Sequence, residues 1–358
     1  MIIFEILPYV ILLLLTLFIP KVSKKYMMVL FFIYFVFCGF RYGVGWDYYN
    51  YLETLESVRG IENTEFIIRQ IEWFCYNNHL KQFFFVATSF FTILFFFLMI
   101  AKGSVNPGVS VFVYLTLSMF FFHSMTTVRF TMAVAIGFFA CYYGYKKQYV
   151  PYIALLLVSI LTHKAALFGV LTIPFVLTKA KFNFSINLII FLVCVVVGTV
   201  LGTFSVVKSV FDSLLRNEFL FDFISDAEVY LNDRGGENFS RTPYIFAFIN
   251  LINLFSARKL ASTVSDDRLW HYITMFNIGC SIVFLFSFHA VLASRLSQFF
   301  MTFILLIVPY YKKYSVQQFI LYALFLFGFF YQLTIHASNP DFIGRINCWL
   351  PYRMNFIL

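Results

Sequence analysis

The stretch Phe83–Ala101 reads FFFVATSFFTILFFFLMIA, nineteen residues without a charge, between Lys81 and Lys102. As a helix it rises about 28 Å, close to the ~30 Å of a bilayer's hydrocarbon layer. A helix on a soluble core is apolar along one stripe. This one is apolar on every side, so its surroundings must be apolar too. A strand of a membrane barrel would instead alternate over roughly ten residues. Reading outward from this stretch, eleven more apolar segments follow the same logic. They are Ile2–Ile19, Tyr26–Phe40, Val109–Phe122, Val128–Tyr145, Tyr149–Thr162, Ala165–Leu177, Ile186–Phe204, Tyr244–Phe255, His271–Phe288, Leu296–Tyr310 and Val316–Ile335. Several are short for a bilayer and are expected to tilt, break or run into their flanks. The fold expected is an all-α polytopic integral membrane protein with about 12 transmembrane helices. It forms a single membrane domain over residues 1–358, with two long connections near 41–82 and 205–242.

Composition agrees. Of 358 residues 61% are hydrophobic and only 12% charged, with mean hydropathy +0.83. Soluble domains carry about 25% charge, so a water-soluble fold, a secreted disulfide scaffold, a disordered chain and a nucleic-acid binder are all excluded. Ile2–Ile19 resembles a signal peptide, but no small-residue cleavage site follows it. Lys21, Lys24 and Lys25 also come after it rather than before, so it reads as a retained first helix with its amino end outside.

The short connections holding Lys21/Lys24/Lys25, Lys102, Lys146/Lys147, Lys179/Lys181, Arg258/Lys259/Arg268 and Lys312/Lys313 alternate along the chain and fall on one side. By the positive-inside rule that side is the cytoplasm. Thirteen cations and two acids there give +11; thirteen cations and fifteen acids opposite give −2, which together make the formal +9. The inner cations are eleven Lys and two Arg, the outer ones three Lys and ten Arg. Orientation needs only charge, so it does not account for this sorting. Guanidinium groups do suit bidentate recognition of phosphate and carboxylate. Arg59, Arg216 and Arg234 read as partners of outer acids. Arg41, Arg129 and Arg295 each adjoin an apolar run, where a charge is costly unless it faces a polar cavity.

Three constellations stand on the outer side. Gly39-Phe40-Arg41-Tyr42-Gly43-Val44-Gly45-Trp46-Asp47-Tyr48-Tyr49-Asn50-Tyr51 follows the second segment. Its glycines permit close turns, and its aromatic faces beside hydrogen-bonding groups suit sugars. Thr126-Thr127-Val128-Arg129-Phe130-Thr131-Met132-Ala133 begins the fifth segment. Leu161-Thr162-His163-Lys164-Ala165-Ala166-Leu167 forms the turn between the sixth and seventh, where His163 is suited to proton transfer. Arg295 opens the eleventh segment at the same level. Glu65–Leu80 has Ile67, Ile68, Ile71, Phe74 and Cys75 near a helical period and reads as an amphipathic helix on the outer surface, roofing a cavity. Ser205–Thr242, ending in Arg234-Gly235-Gly236-Glu237, reads as a mobile loop over the same face. No phosphate loop, CxxC, HExxH or Asp-x-Asp motif is present in the sequence. Cys38, Cys141, Cys194 and Cys280 read as small core residues. Cys75 and Cys348 both fall outside, where topology alone permits a disulfide.

Together these residues resemble the EpsG-like branch of the Wzy polymerases, integral membrane enzymes that polymerise O-antigen or exopolysaccharide repeat units. The resemblance rests on Arg41-Tyr-Gly-Val-Gly-Trp-Asp47-Tyr48-x-x-Tyr51, on Val128-Arg129-Phe130 with Ala133, and on His163-Lys-Ala-Ala166-Leu167. It departs at Trp46, where the family more often has Thr, and at Phe130, where Gln is usual. It implies a GT-C-like glycosyltransferase in a bacterial inner membrane, active on the periplasmic face, joining undecaprenyl-pyrophosphate-linked oligosaccharides as donor and acceptor. No cofactor and no metal is implied, and no nucleic acid; membrane lipids and a chain-length regulator are the other partners. On this reading Arg129, Arg295 and Arg41 bind pyrophosphate and His163 or Asp47 takes the acceptor's proton. Trp46, Tyr48 and Tyr51 line the sugar path. An O-antigen ligase and a lipid-linked oligosaccharide flippase are the alternatives, since both handle the same kind of substrate.

Overall fold

A computed structural model describes residues 2–17, 24–203, 242–260, 267–287, 290–311, 316–334 and 348–356. The elements are helical, with no β-strand among the described residues. The expected connection at 205–242, with Arg216 and Arg234, lies outside the described residues apart from Thr242; Asp266 lies outside them too. The chain forms two compact units, Met1–Ala166 with Val308–Leu358, and Leu167–Ile307.

The first unit contains α1 (Ile2–Leu17), α2 (Lys24–Gly39), α3 (Tyr48–Thr54), α4 (Val58–Glu62), α5 (Phe66–Asn78), α6 (Lys81–Gly103), α7 (Pro107–Thr116), α8 (Phe121–Met125), α9 (Val128–Tyr145) and α10 (Tyr149–Thr162). The last long helix of the chain, Val316–Thr334, also belongs to it. The threonine hydroxyls inside α6 are met by the helix itself: Thr88 donates to Phe84 O and Thr92 to Thr88 O, each at 2.7 Å. That is why polar residues sit in an apolar segment without unmet groups. The expected Val109–Phe122 segment is broken in two, because Leu117 turns to extended backbone after α7. The 41–82 connection is structured rather than loop-like, since α3, α4 and α5 fill most of it.

The second unit contains α11 (Ile173–Thr178), α12 (Phe184–Thr203), α13 (Thr242–Leu260), α14 (Asp267–Leu285), α15 (Ala290–Met301) and α16 (Ile304–Ile307); the remaining helix, Val316–Thr334, is α17. Its helices are joined by buried amides. Asn250 Nδ2 donates to Asn277 Oδ1 at 2.8 Å, and Asn277 Nδ2 donates to Asn187 O at 3.1 Å. A Cβ built on Gly198 would stand 2.0 Å from Phe284 O, so α12 and α14 meet backbone to backbone. Small residues and interhelical hydrogen bonds are the usual cement between helices where no hydrophobic effect operates.

Among the described residues three stretches are long and apolar enough to cross a membrane: Lys81–Gly103, Ala293–Tyr310 and Val316–Thr334. Shorter apolar helices accompany them. On α12 the large apolar side chains Ile186, Ile189, Leu192, Val193 and Val196 are exposed, as are Phe319 and Phe327 on α17. Helices whose outward faces are this apolar belong to a polytopic membrane protein.

Candidate functional site

The first constellation folds around Arg41, which is fully buried. The chain leaves α2 and turns through Gly43 (φ +61°) and Gly45 (φ +101°), left-handed backbone that glycine alone adopts without strain. Inside the turn Arg41 Nε donates to Val44 O at 3.0 Å, and Nη2 to Met125 O at 3.2 Å. Nη1 donates to Cys38 O and, at 3.4 Å, to Ser89 Oγ. The guanidinium also lies 4.8 Å from the Phe85 ring centre. Gln82 Nε2 reinforces the turn by donating to Gly39 O at 2.8 Å and Arg41 O at 3.1 Å. The polar cavity that Arg41 needs at a membrane boundary is therefore made by the chain's own carbonyls. A guanidinium has five donors in a fixed fork, and here they tie a helix end, a turn and α8 together. Arg41 holds the site's architecture and presents no surface to a phosphate.

Two other expected residues of this stretch are also inside. Tyr48 is buried, stacked on Phe85 at 4.4 Å, and its hydroxyl donates to Gln82 Oε1 at 3.4 Å. Tyr51 is buried against Phe84. Burial raises the Tyr51 phenol above its usual value; Arg129 opposes that rise and Asp47 adds to it, which places both charges within electrostatic reach of the ring. Trp46 and Asp47 are half-buried, with Asp47 at the first turn of α3.

The second and third constellations converge on α5. Arg129 Nη1, at the start of α9, donates to Glu65 Oε2 at 3.2 Å, and its guanidinium lies 5.8 Å from the Tyr51 ring centre. Glu65 Oε1 accepts the Lys164 amide at 3.3 Å and stands 3.9 Å from His163 Nδ1. That last distance is too long for a hydrogen bond. His163 Nδ1 instead accepts the Ala165 amide at 3.0 Å, so a neutral ring carries its proton on Nε2. The edge of this imidazole packs on Phe130 at 5.3 Å, the position at which the resemblance departs from the usual Gln.

About two turns beyond Glu65 along α5, Glu72 is buried. Thr64 Oγ lies 2.7 Å from Ile61 O and 2.6 Å from Glu72 Oε2. A hydroxyl has one proton, so both contacts are bonds only if Glu72 is protonated and donates to Thr64. Burial accordingly lifts the Glu72 carboxyl to about 7, against the opposing pull of the Thr64 bond and Arg129. Glu65, Thr64, Arg69, Leu161 and Lys164 face an open cleft of about 420 Å³ beside this cluster.

The chain matches the EpsG family over residues 4–354. It belongs to the EpsG family. No curated protein and no solved structure matches it. EpsG membership supports, broadly, a polymerase-like role in exopolysaccharide or O-antigen assembly and glycosyltransferase-like chemistry.

Within this EpsG protein the structure brings Arg129 and His163 to one carboxylate and sets Asp47 near Tyr51. Arg295 is half-buried on α15 in the second unit. Cys75 and Cys348 are both buried and not joined by a disulfide. Glu65 and Glu72 are the site residues that the motifs missed. The signal for Glu72 was present, since Ile68, Glu72 and Cys75 share one face of α5 and a carboxylate on a buried stripe is anomalous. Glu65 had no such mark, because its partners lie 64 and 99 residues away.

Proposed function

We propose that this EpsG protein is an O-antigen polymerase that joins undecaprenyl-pyrophosphate-linked repeat units by glycosyl transfer on the periplasmic face of the inner membrane. The reading includes about twelve spans and a GT-C-like arrangement. The observation that carries it is the meeting of Arg129, Glu65 and His163 at one end of the first unit, in a chain of this family.

The reaction breaks the bond between the anomeric carbon and the donor's pyrophosphate oxygen, which leaves with the electron pair. The acceptor's hydroxyl oxygen forms the new bond and gives up its proton. Negative charge grows on the leaving group, and a positioned guanidinium stabilises it. Arg129 has that role; in the resting site Glu65 holds Arg129 in place. His163 Nε2–H donates to a substrate oxygen, because its Nδ1 lone pair is engaged by Ala165. Of the two bases expected from sequence, Asp47 then takes the acceptor's proton. Trp46 offers an aromatic face to the sugar. A single displacement inverts the anomeric centre, and the residues named need no metal.

The test uses full-length protein in liposomes with lipid-linked repeat units as the only saccharide, plus excess EDTA. A polymer ladder is expected, falling at least about 100-fold in Arg129→Ala. No lipid A core is present, so a ligase or a flippase makes no ladder. Loss of polymer with EDTA, or an unchanged ladder in Arg129→Ala, overturns the proposal.

A further inference from the structure

We propose that the cleft beside Glu65 holds the diphosphate of a polyprenyl-diphosphate-linked saccharide, with Arg69 and Lys164 as its cations and the exposed face of α10 as the track for its hydrocarbon chain. For the ligand's identity this rests on the polymerase reading; the site itself rests on the geometry below.

The cleft is amphiphilic in a directed way. Its polar wall carries Glu62, Thr64, Arg69 and Lys164, and its other wall is the end of α10 at Ile160 and Leu161. On α10, Val150, Ile153, Leu157 and Leu161 are each 45% to 82% exposed. Their spacing of three, four and four keeps them on one helix face. The stripe starts at the Lys146/Lys147 end of the helix and finishes at Leu161, inside the cleft. An apolar track that ends in a polar pocket fits a molecule with a long hydrocarbon tail and a charged head. A free nucleotide or phosphate has no use for the track.

The pocket's charges favour an anionic head. Arg69 Nε and Nη2 donate to Thr64 O at 3.2 and 2.8 Å, which fixes the plane of its guanidinium against the cleft wall. Lys164, which also lines the cleft, is exposed. Of the two carboxylates nearby, Glu65 is already engaged by Arg129 and by the Lys164 amide. Glu62 is exposed at the rim, where with Asn63 it offers acceptors to the hydroxyls of the first sugar. A diphosphate seated between Arg69 and Lys164 places that sugar next to Arg129 and His163, the groups assigned to bond breaking.

The experiment measures binding of undecaprenyl pyrophosphate to full-length protein in phosphatidylcholine nanodiscs, with phosphatidylglycerol as competitor. Saturable binding is expected, at least about tenfold weaker in Lys164→Gln, as for one lost charge-assisted hydrogen bond. Lys164→Arg should restore it. Leu161→Ser should weaken undecaprenyl pyrophosphate and leave inorganic pyrophosphate binding unchanged. Lys164 and Leu161 are exposed, and the arginine variant reports on folding. Equal binding by wild type and Lys164→Gln overturns the proposal. So does equal displacement by phosphatidylglycerol, which would make the cleft a general anionic-lipid surface. Polymer lost in Arg129→Ala with lipid binding indifferent to Lys164 sinks the cleft and spares the polymerase reading. Binding that tracks Lys164 in a protein making no polymer does the reverse.

Discussion

Replacing Arg41 with alanine would leave the carbonyls of Cys38, Val44 and Met125 facing an apolar hole. Each buried acceptor left without a donor costs about 1–3 kcal/mol, and the hole adds its own term. Arg41→Ala is therefore expected to lower the melting temperature in detergent sharply. Arg41→Lys should do nearly as badly, because an ammonium cannot span three carbonyls set around a fork. Arg129→Ala should keep the wild-type melting temperature within a few degrees while losing activity, since Arg129 is half-buried and its partner Glu65 stays partly solvated. A thermal-shift series on the three variants separates an architectural arginine from one that meets substrate. Glu72 gives a second prediction. Its carboxyl stands at about 7 in the fold against 4.5 for a free carboxyl, with Glu65, Arg69 and Arg129 as its charged neighbours. A raised folded value means that the native state binds the proton more tightly. The stabilisation is thus complete below 4.5 and is lost as pH rises to about 7, by roughly 3 kcal/mol at most. Glu72→Gln keeps the bond to Thr64 and has no proton to lose. Its melting temperature should be flat across that window where the wild type's declines, and a parallel decline in the variant would rule the assignment out.

At the scale of elements, the second unit depends on amides that no motif marks. Asn277 accepts from Asn250 and donates to the Asn187 carbonyl, bridging α13, α14 and α12. Asn277→Leu fills a similar volume but leaves the Asn250 amide without that acceptor, at a cost of about 1–2 kcal/mol. The expected readout is faster cleavage of the α13–α14 region in limited proteolysis, with the first unit's melting unaffected. Such pairings show why only part of the structure was legible in the sequence. The apolar segments are helical over most of their described residues, as 3-10 helix at Lys164–Thr172 and with a break at Leu117, because apolar sequence leaves the backbone little other way to satisfy itself in lipid. That Phe66–Asn78 is a helix with Ile68 and Cys75 turned inward was legible from its period, whereas Phe74, expected on the same apolar face, is exposed. The Arg41 turn was legible as a turn from its glycines, but not as the container of its own arginine, because the carbonyls that receive it come from Cys38, Val44 and Met125. The Glu65–Arg129–His163 meeting was legible only as three separate signals, since periodicity reports which way a residue faces and not which distant residue it faces. Tyr48 and Tyr51 went the same way: aromatic residues in a polar stretch suggested a surface, whereas stacking on Phe84 and Phe85 draws them inward.

Across the whole chain, the ends of the first unit sort their cations. Lys102 and Lys146 both lie over the Tyr142 ring, at 5.0 and 5.9 Å, so the ends of α6 and α9 meet there. Arg41, Arg69 and Arg129 belong to the opposite end, near the starts of α6 and α9. That end is closed by residues from the far end of the sequence. Residues 348–356 run antiparallel to the Arg41 turn, with Arg41 bridged to Met354. Tyr42 N donates to Arg353 O at 2.9 Å, Gly45 N to Cys348 O at 2.9 Å and Asn355 N to Phe40 O at 2.7 Å. Tyr352 stacks on Phe37 at 4.0 Å and its hydroxyl donates to the Phe37 carbonyl, while Tyr9 donates to Trp349 O at 3.1 Å. The turn that carries Trp46 and Asp47 is thus held on one side by Arg41 and on the other by this segment. Deleting residues 348–358 removes the second hold, three backbone bonds and the Phe37–Tyr352 stack, without touching Arg129, Glu65 or His163. The expected outcome is a split: protease nicking at 42–46 and loss of polymer, while Lys164-dependent binding of undecaprenyl pyrophosphate persists. Tyr352→Ala should reproduce a weaker form of the same split. If binding and polymer formation fall together in both, the segment supports the unit as a whole and not the turn. If neither changes, Arg41 alone is sufficient to hold Asp47 in the position proposed for the base.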